Sequence, residues 1–119
     1  MSKIIIKACI KQNGVIQEKI ETPAILQNNK ITYLNNKIVT KLDIKKQELR
    51  RITEEFELII DFKNELIITD YKECSLDLRI RIIKKQIEQN RISIKYEMID
   101  TKDIFEYEIT WRKYETGIK

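Results

Sequence analysis

The side chains able to do chemistry in this sequence are two cysteines, scattered carboxylates, a run of arginines and lysines, and aromatic residues near the C-terminus. Cys9 and Cys74 form no CxxC pair, and the chain has 0 histidines, so a zinc site lacks good ligands. A thiolate nucleophile needs a neighbour that stabilises its charge, and Cys74 follows Lys72 and Glu73, which give it no clear one. The expectation for both thiols is burial in a reducing cytoplasm. Without histidine, the commonest general base and the usual activator of a nucleophile are gone. Carboxylates remain, but Glu97, Glu106 and Glu108 fall at outward strand positions, where solvated pairing with lysine is the ordinary role. Gly14 and Gly117 are the only glycines, which excludes a glycine-rich phosphate loop. These absences argue against an enzyme, and no cofactor or metal is expected.

What remains is binding. Tyr96, Met98, Tyr107, Ile109 and Trp111 share the apolar faces of two neighbouring strands. In a barrel they face the interior, as packed core or, where the barrel is hollow, as the lining for a small, partly apolar ligand. The alternative site is basic. Arg79, Arg81, Lys84, Lys85 and Arg91 cluster on one strand and the turn after it, with Glu88 the opposing charge, as a ridge for nucleic acid or another anionic partner. No aromatic platform is interleaved with those charges, as single-strand binding wants. A net charge of +4 among 35% charged residues describes a mixed, solvated surface. Ile5 and Ile83 fall on otherwise polar strand faces and offer a contact for a homodimer.

The elements that must position these residues are strands. Successive side chains of a strand point to opposite faces, so period-two alternation marks a half-buried one. Ile92, Ile94, Tyr96 and Met98 alternate with Ser93, Lys95 and Glu97. Phe105, Tyr107, Ile109 and Trp111 alternate with Glu106, Glu108 and Thr110. Leu76, Leu78, Ile80 and Ile82 oppose Ser75, Asp77, Arg79 and Arg81. Near the N-terminus Ile4, Ile6, Ala8 and Ile10 alternate with Ile5, Lys7 and Cys9, and Asn13-Gly14 is a strong hairpin signal. Val15 to Glu21 is the returning strand. Asn28-Asn29 and Asn35-Asn36 then delimit short strands over Ala24 to Gln27, Ile31 to Leu34 and Lys37 to Leu42. With glycine and proline scarce, the turns must rely on Asn and Asp, which tolerate positive φ.

Residues 45–57 carry helix formers, with Leu49, Ile52 and Phe56 at helical spacing. Yet Ile52, Phe56, Leu58, Ile60 and Phe62 also share one face at period two. The favoured reading is a strand from about residue 49, with a short helix or turn near 44–50. Another strand, Glu65 to Thr69, follows a turn at Lys63-Asn64. Short connections join antiparallel neighbours, and eight to ten such strands in a chain of 119 residues must curl or close. The expectation is one all-β domain over 1–119, an antiparallel up-and-down β-barrel. The N-terminal apolar run is broken by Lys7 and Lys11, too short for a leader or a membrane span, so a cytoplasmic protein is expected.

The stretch from Asn90 to Met98, an acidic turn, and Tyr107-Glu108-Ile109-Thr110-Trp111 resemble the end of the YwiB-like family of small bacterial proteins. Gly14-Val15-Ile16-Gln17-Glu18 with Glu21-Thr22 resembles its second strand, and Asn28 to Tyr33 its next turn and strand. The resemblance implies a calycin-like, lipocalin-like barrel. It implies no activity, because the family carries none that is established.

Overall fold

The computed structural model describes residues 1–71 and 74–114. Ten antiparallel strands close into one barrel: β1 (Ser2–Gln12), β2 (Val15–Gln27), β3 (Lys30–Asn35), β4 (Ile38–Asp43), β5 (Glu48–Ile52), β6 (Phe56–Asp61), β7 (Leu66–Tyr71), β8 (Cys74–Glu88), β9 (Arg91–Met98) and β10 (Ile104–Lys113). Each strand pairs with its neighbours in sequence, and β1 closes on β10, which is the up-and-down order. Among the described residues there is no helix. The ambiguous stretch is a turn over 44–47 that leads directly into β5.

The period-two pattern determines what lies inside. Ile4, Ile6, Ala8 and Ile10 of β1 are buried, as are Ile92, Ile94 and Tyr96 of β9 and Tyr107 and Ile109 of β10. β1 lies between β2 and β10, in continuous register with β10 and with one shift after Ile10 against β2, so these residues meet across the wall as well as across the interior. Burying a side chain of this size stabilises the fold by about 1.5–3 kcal/mol each before chain entropy is counted.

Turn chemistry follows the expected logic in part. Asn13, Asn28, Asn29, Asn36 and Asn90 adopt positive φ, beside Gly14. Asn28 and Asn29 do so consecutively, as a tight hairpin turn between twisted strands requires. Lys37, Gln47, Glu65 and Lys102 also take positive φ, and none of these residue types favours it. At one end of the barrel the Asn13 side chain joins two hairpins. Its Nδ2 donates to Asp103 Oδ1 at 2.9 Å, and the Ile104 N–H donates to its Oδ1 at 2.8 Å.

The structure corrects several local expectations. Ala24 to Gln27 is not a separate strand: β2 runs unbroken through Pro23. Pro23 is tolerated because β2 pairs with β3 only over Ile25–Gln27, leaving the β3-side edge open where proline sits. Ile52 does not share a face with Phe56 and Leu58. The β5–β6 hairpin pairs Ile52 with Glu57 and Arg51 with Leu58, which reverses the parity across the turn. Arg51 therefore points inward and Ile52 outward. Both cysteines depart from the buried reading. Cys9 is half-buried, opposite Lys19 and Glu108, and Cys74 is exposed. Lys72 and Glu73 lie outside the described residues.

Candidate functional site

Two parallel rows of side chains cross the inner face of the short-stranded half, two residues apart along each strand. The first runs Ile31, Leu42, Leu49, Ile60, Ile67, Leu78 from β3 to β8, and all of it is aliphatic. The second runs Tyr33, Thr40, Arg51, Leu58, Thr69, Leu76 along the same strands. In this second row exposure rises from one end to the other. Tyr33 and Thr40 are buried, Leu58 and Thr69 are half-buried, and Leu76 is 57% exposed although it faces inward. Leu76 and the 41%-exposed Phe56 are exposed apolar residues in inward register at the same end of the barrel.

The centre of this row is Arg51. Its Nη2 donates to Glu18 Oε2 of β2 at 2.8 Å, with the two side chains only 15% and 20% exposed. Glu18 reaches inward because β2 pairs Ile10 with Glu18 and then Lys11 with Ile16, so a bulge at Gln17 resets the strand beside it. The pair bridges a gap, since β2 between Val15 and Ala24 pairs with β1 alone. Burial works against the Arg51 charge, but the hydrogen bond and charge of Glu18, with a smaller contribution from Tyr107, more than offset it and raise its pKa. The other oxygen, Glu18 Oε1, is buried with no hydrogen-bond partner. An unsatisfied buried acceptor of this kind costs about 1–3 kcal/mol.

Three tyrosines surround the pair. Burial pushes Tyr107, Tyr96 and Tyr33 above the ordinary phenol range, with Arg51 pulling each of them back in part. All three are therefore neutral hydroxyls at physiological pH. Tyr96 stacks on Tyr107 at 6.2 Å and on Phe105 at 5.4 Å between ring centroids. The arrangement is a cation with neutral donors around it, set in an apolar wall. It can hold an anionic oxygen, and at present that oxygen is Glu18 Oε2.

The interior residues expected from the sequence divide three ways. Tyr96, Tyr107 and Ile109 meet inside the barrel, with Leu49, Ile60, Phe62, Ile92 and Ile94, around a void of about 10 Å3. That space holds no more than roughly one water, against about 300–1,000 Å3 for a small-molecule pocket. Met98 pairs with Ile80 near one end, and Trp111 pairs with Ile6 towards the other; both are half-buried. The larger hollows lie outside. One of about 530 Å3 opens where β2 parts from β3, between Lys3, Pro23, Ile25, Leu34 and Tyr114. Lys3 is the sole charged residue in its lining.

The basic residues do not form one ridge. Arg81 donates to Glu97 at 2.8 Å and Arg91 to Glu108 at 2.8 Å. A bulge between Ile82 and Lys84 reverses the parity of β8, so Lys84 faces out opposite Lys95 while Lys85 aligns with the inward Ile94. Lys85 Nζ donates to Gln47 Oε1 at 2.7 Å and to the Phe62 carbonyl at 3.4 Å. Among the described residues, Arg79 and Lys84 make no ion pair. The bulged residue is Ile83, which is exposed; Ile5 is half-buried. The outward carboxylates pair with arginine more than with the expected lysine: among the described residues, Glu97 and Glu108 pair with arginine, and Glu106 with Lys95 at 4.0 Å.

Among the described residues no group of three or more metal-ligating side chains comes together, and no helix is long and apolar enough to cross a membrane. In comparisons with known proteins, no family model, curated protein or solved structure matches this chain.

Proposed function

We propose that the chain is a non-enzymatic binding protein for a small, partly apolar molecule, held at the open end of the barrel over Arg51. The observation that carries this is the inward-facing Arg51, set among tyrosines and followed along the inner face by the half-buried Leu58 and the exposed Leu76 and Phe56. Ligand sites combine an apolar wall with a few converging polar groups. These apolar residues supply the wall, and Arg51, Tyr96 and Tyr107 supply the polar groups. The groove between β2 and β3 is roomier but has no buried polar group to orient a ligand beyond Tyr33 at its edge. With the barrel centre filled, the ligand lies across the mouth with its polar end directed inward.

The nucleic-acid reading finds less support, because Arg81 and Arg91 are already paired and Lys85 is turned inward. The free thiols Cys9 and Cys74 suit a reducing cytoplasm. A calycin-like relationship to the YwiB-like proteins belongs to the same proposal and rests on the quoted motifs and the strand order.

The test is native mass spectrometry of the purified chain together with melting curves across a library of amphiphiles. A bound small molecule, or a melting temperature that rises with amphiphile concentration and loses that rise in Leu76→Asp, supports the proposal. No bound molecule and no shift across the library overturns it.

A further inference from the structure

The mouth of the barrel contains a carboxylate that is held by one oxygen only. We infer that Glu18 is an internal stand-in, and that a ligand carboxylate takes its place on Arg51 while β2 releases Glu18 to solvent. This rests on the proposed binding function and adds the chemical class of the ligand, an amphiphilic monocarboxylate.

Several independent features point to the exchange. Arg51 is an inward-facing cation whose partner sits on a different strand, across a gap in the backbone ladder. A planar guanidinium matches the two oxygens of a carboxylate. Glu18 uses only Oε2 here, and its Oε1 stays buried without a partner. Its own backbone limits how it turns. A free carboxylate is not so limited and can present both oxygens to the guanidinium and the neighbouring hydroxyls.

The exchange also needs no new cavity. One carboxylate replaces another, so the filled interior is not an obstacle to the head group. The tail then lies along the inward row from Leu58 to Leu76, where exposure increases outward.

β2 is suited to let go. From Val15 to Ala24 it is held on one edge only, by β1, and the bulge at Gln17 adjoins Glu18. Withdrawing Glu18 therefore breaks no ladder to β3.

The experiment uses the full chain and three probes of equal chain length below their micellar concentrations: decanoate, decanol and decyltrimethylammonium. Binding is followed by calorimetry. The expected result is decanoate binding at least about tenfold tighter than decanol, as a charge-assisted hydrogen bond provides, with no saturable binding of the cation. Glu18→Gln removes the competing charge at nearly constant shape and should tighten decanoate roughly tenfold while leaving decanol unchanged. Arg51→Met should erase the preference for decanoate over decanol. Should that variant not fold, Arg51→Lys serves instead and should reduce the preference.

Equal affinity for decanoate and decanol overturns the exchange and leaves the binding function standing. A Glu18→Gln variant that binds decanoate no better than the parent also overturns it. If none of the three probes binds, this inference fails, and so does the proposed binding function for amphiphiles of this length.

Discussion

The two inner rows of the short-stranded half run along the same strands, two residues apart, and have opposite character. Ile31, Leu42, Leu49, Ile60 and Ile67 are buried aliphatic side chains. Tyr33, Thr40, Arg51, Leu58, Thr69 and Leu76 mix a cation, hydroxyls and apolar groups, and end in solvent. The backbone is the same in both, so strand geometry does not account for the difference. What differs is what lies opposite. Row one faces the long strands β9 and β10, whose Ile92, Ile94 and Ile109 fill the space against it. Row two runs from the gap beside β2 to the overhang of β8, where β9 has ended: Met98 pairs with Ile80, and Leu76 lies beyond it. A barrel wall longer than its opposite wall must leave an inner face uncovered, and that is where polar groups are affordable.

This contrast can be broken or sharpened experimentally. The largest effect is expected at alkaline pH. Burial holds the pKa values of Tyr33, Tyr96 and Tyr107 above the ordinary phenol range. The unfolded chain gives up these protons near pH 10 while the folded chain keeps them, so the folded state binds more protons and stability falls as pH rises beyond 10. Phenolate absorbance from these residues should appear together with the loss of β-sheet circular dichroism. Free titration of all the tyrosines in the folded chain would contradict the packing of the mouth.

Next in size are the row-one truncations. Ile60→Ala should cost about 3–4 kcal/mol in urea unfolding, because Ile60 is 2% exposed and its site cannot collapse. Leu76→Ala should cost less than about 1 kcal/mol, since its side chain is already largely in water. Equal costs would erase the distinction between the rows.

Arg51→Met should cost about 2–3 kcal/mol, mostly because it leaves Glu18 enclosed without a counter-charge. Adding Glu18→Gln to that variant should restore part of the loss, and a double-mutant cycle measures the coupling. Purely additive losses would mean that the pair is not coupled across the gap.

The smallest effect is a gain. Lys37 is exposed and holds φ at 65° in a turn. Lys37→Gly should stabilise by about 0.5–1 kcal/mol, by relieving a conformation that lysine disfavours. It should leave ligand affinity unchanged.

Much of the barrel was legible in the chain. The alternation in β1, β8, β9 and β10 identifies their inner faces, because a half-buried strand must segregate its side chains. Asn13-Gly14 and Asn28-Asn29 sit at turns because positive φ is cheapest there for the residues this chain offers. The candidate site was legible only in part. Tyr96 and Tyr107 are found by their alternation. Arg51 is missed because the run from 49 to 62 reads as one phase and places Ile52 inward. Glu18 is missed because its position depends on the bulge at Gln17. Lys85 is misplaced for the same kind of reason, by the bulge after Ile82.

The sequence by itself determined that this chain is all-β, with half-buried strands and Ile-rich inner faces, since period two is a local property of the backbone, whereas closure of β1 on β10 is a tertiary contact. Only the tertiary structure decided which residue of each pair faces inward after a tight turn or a bulge, because a single residue there reverses the parity of everything beyond it. Only the tertiary structure, too, decided that the interior is filled and that Arg51 meets Glu18 at its mouth. Packing and overhang depend on the strand across the barrel, and no local pattern records that strand.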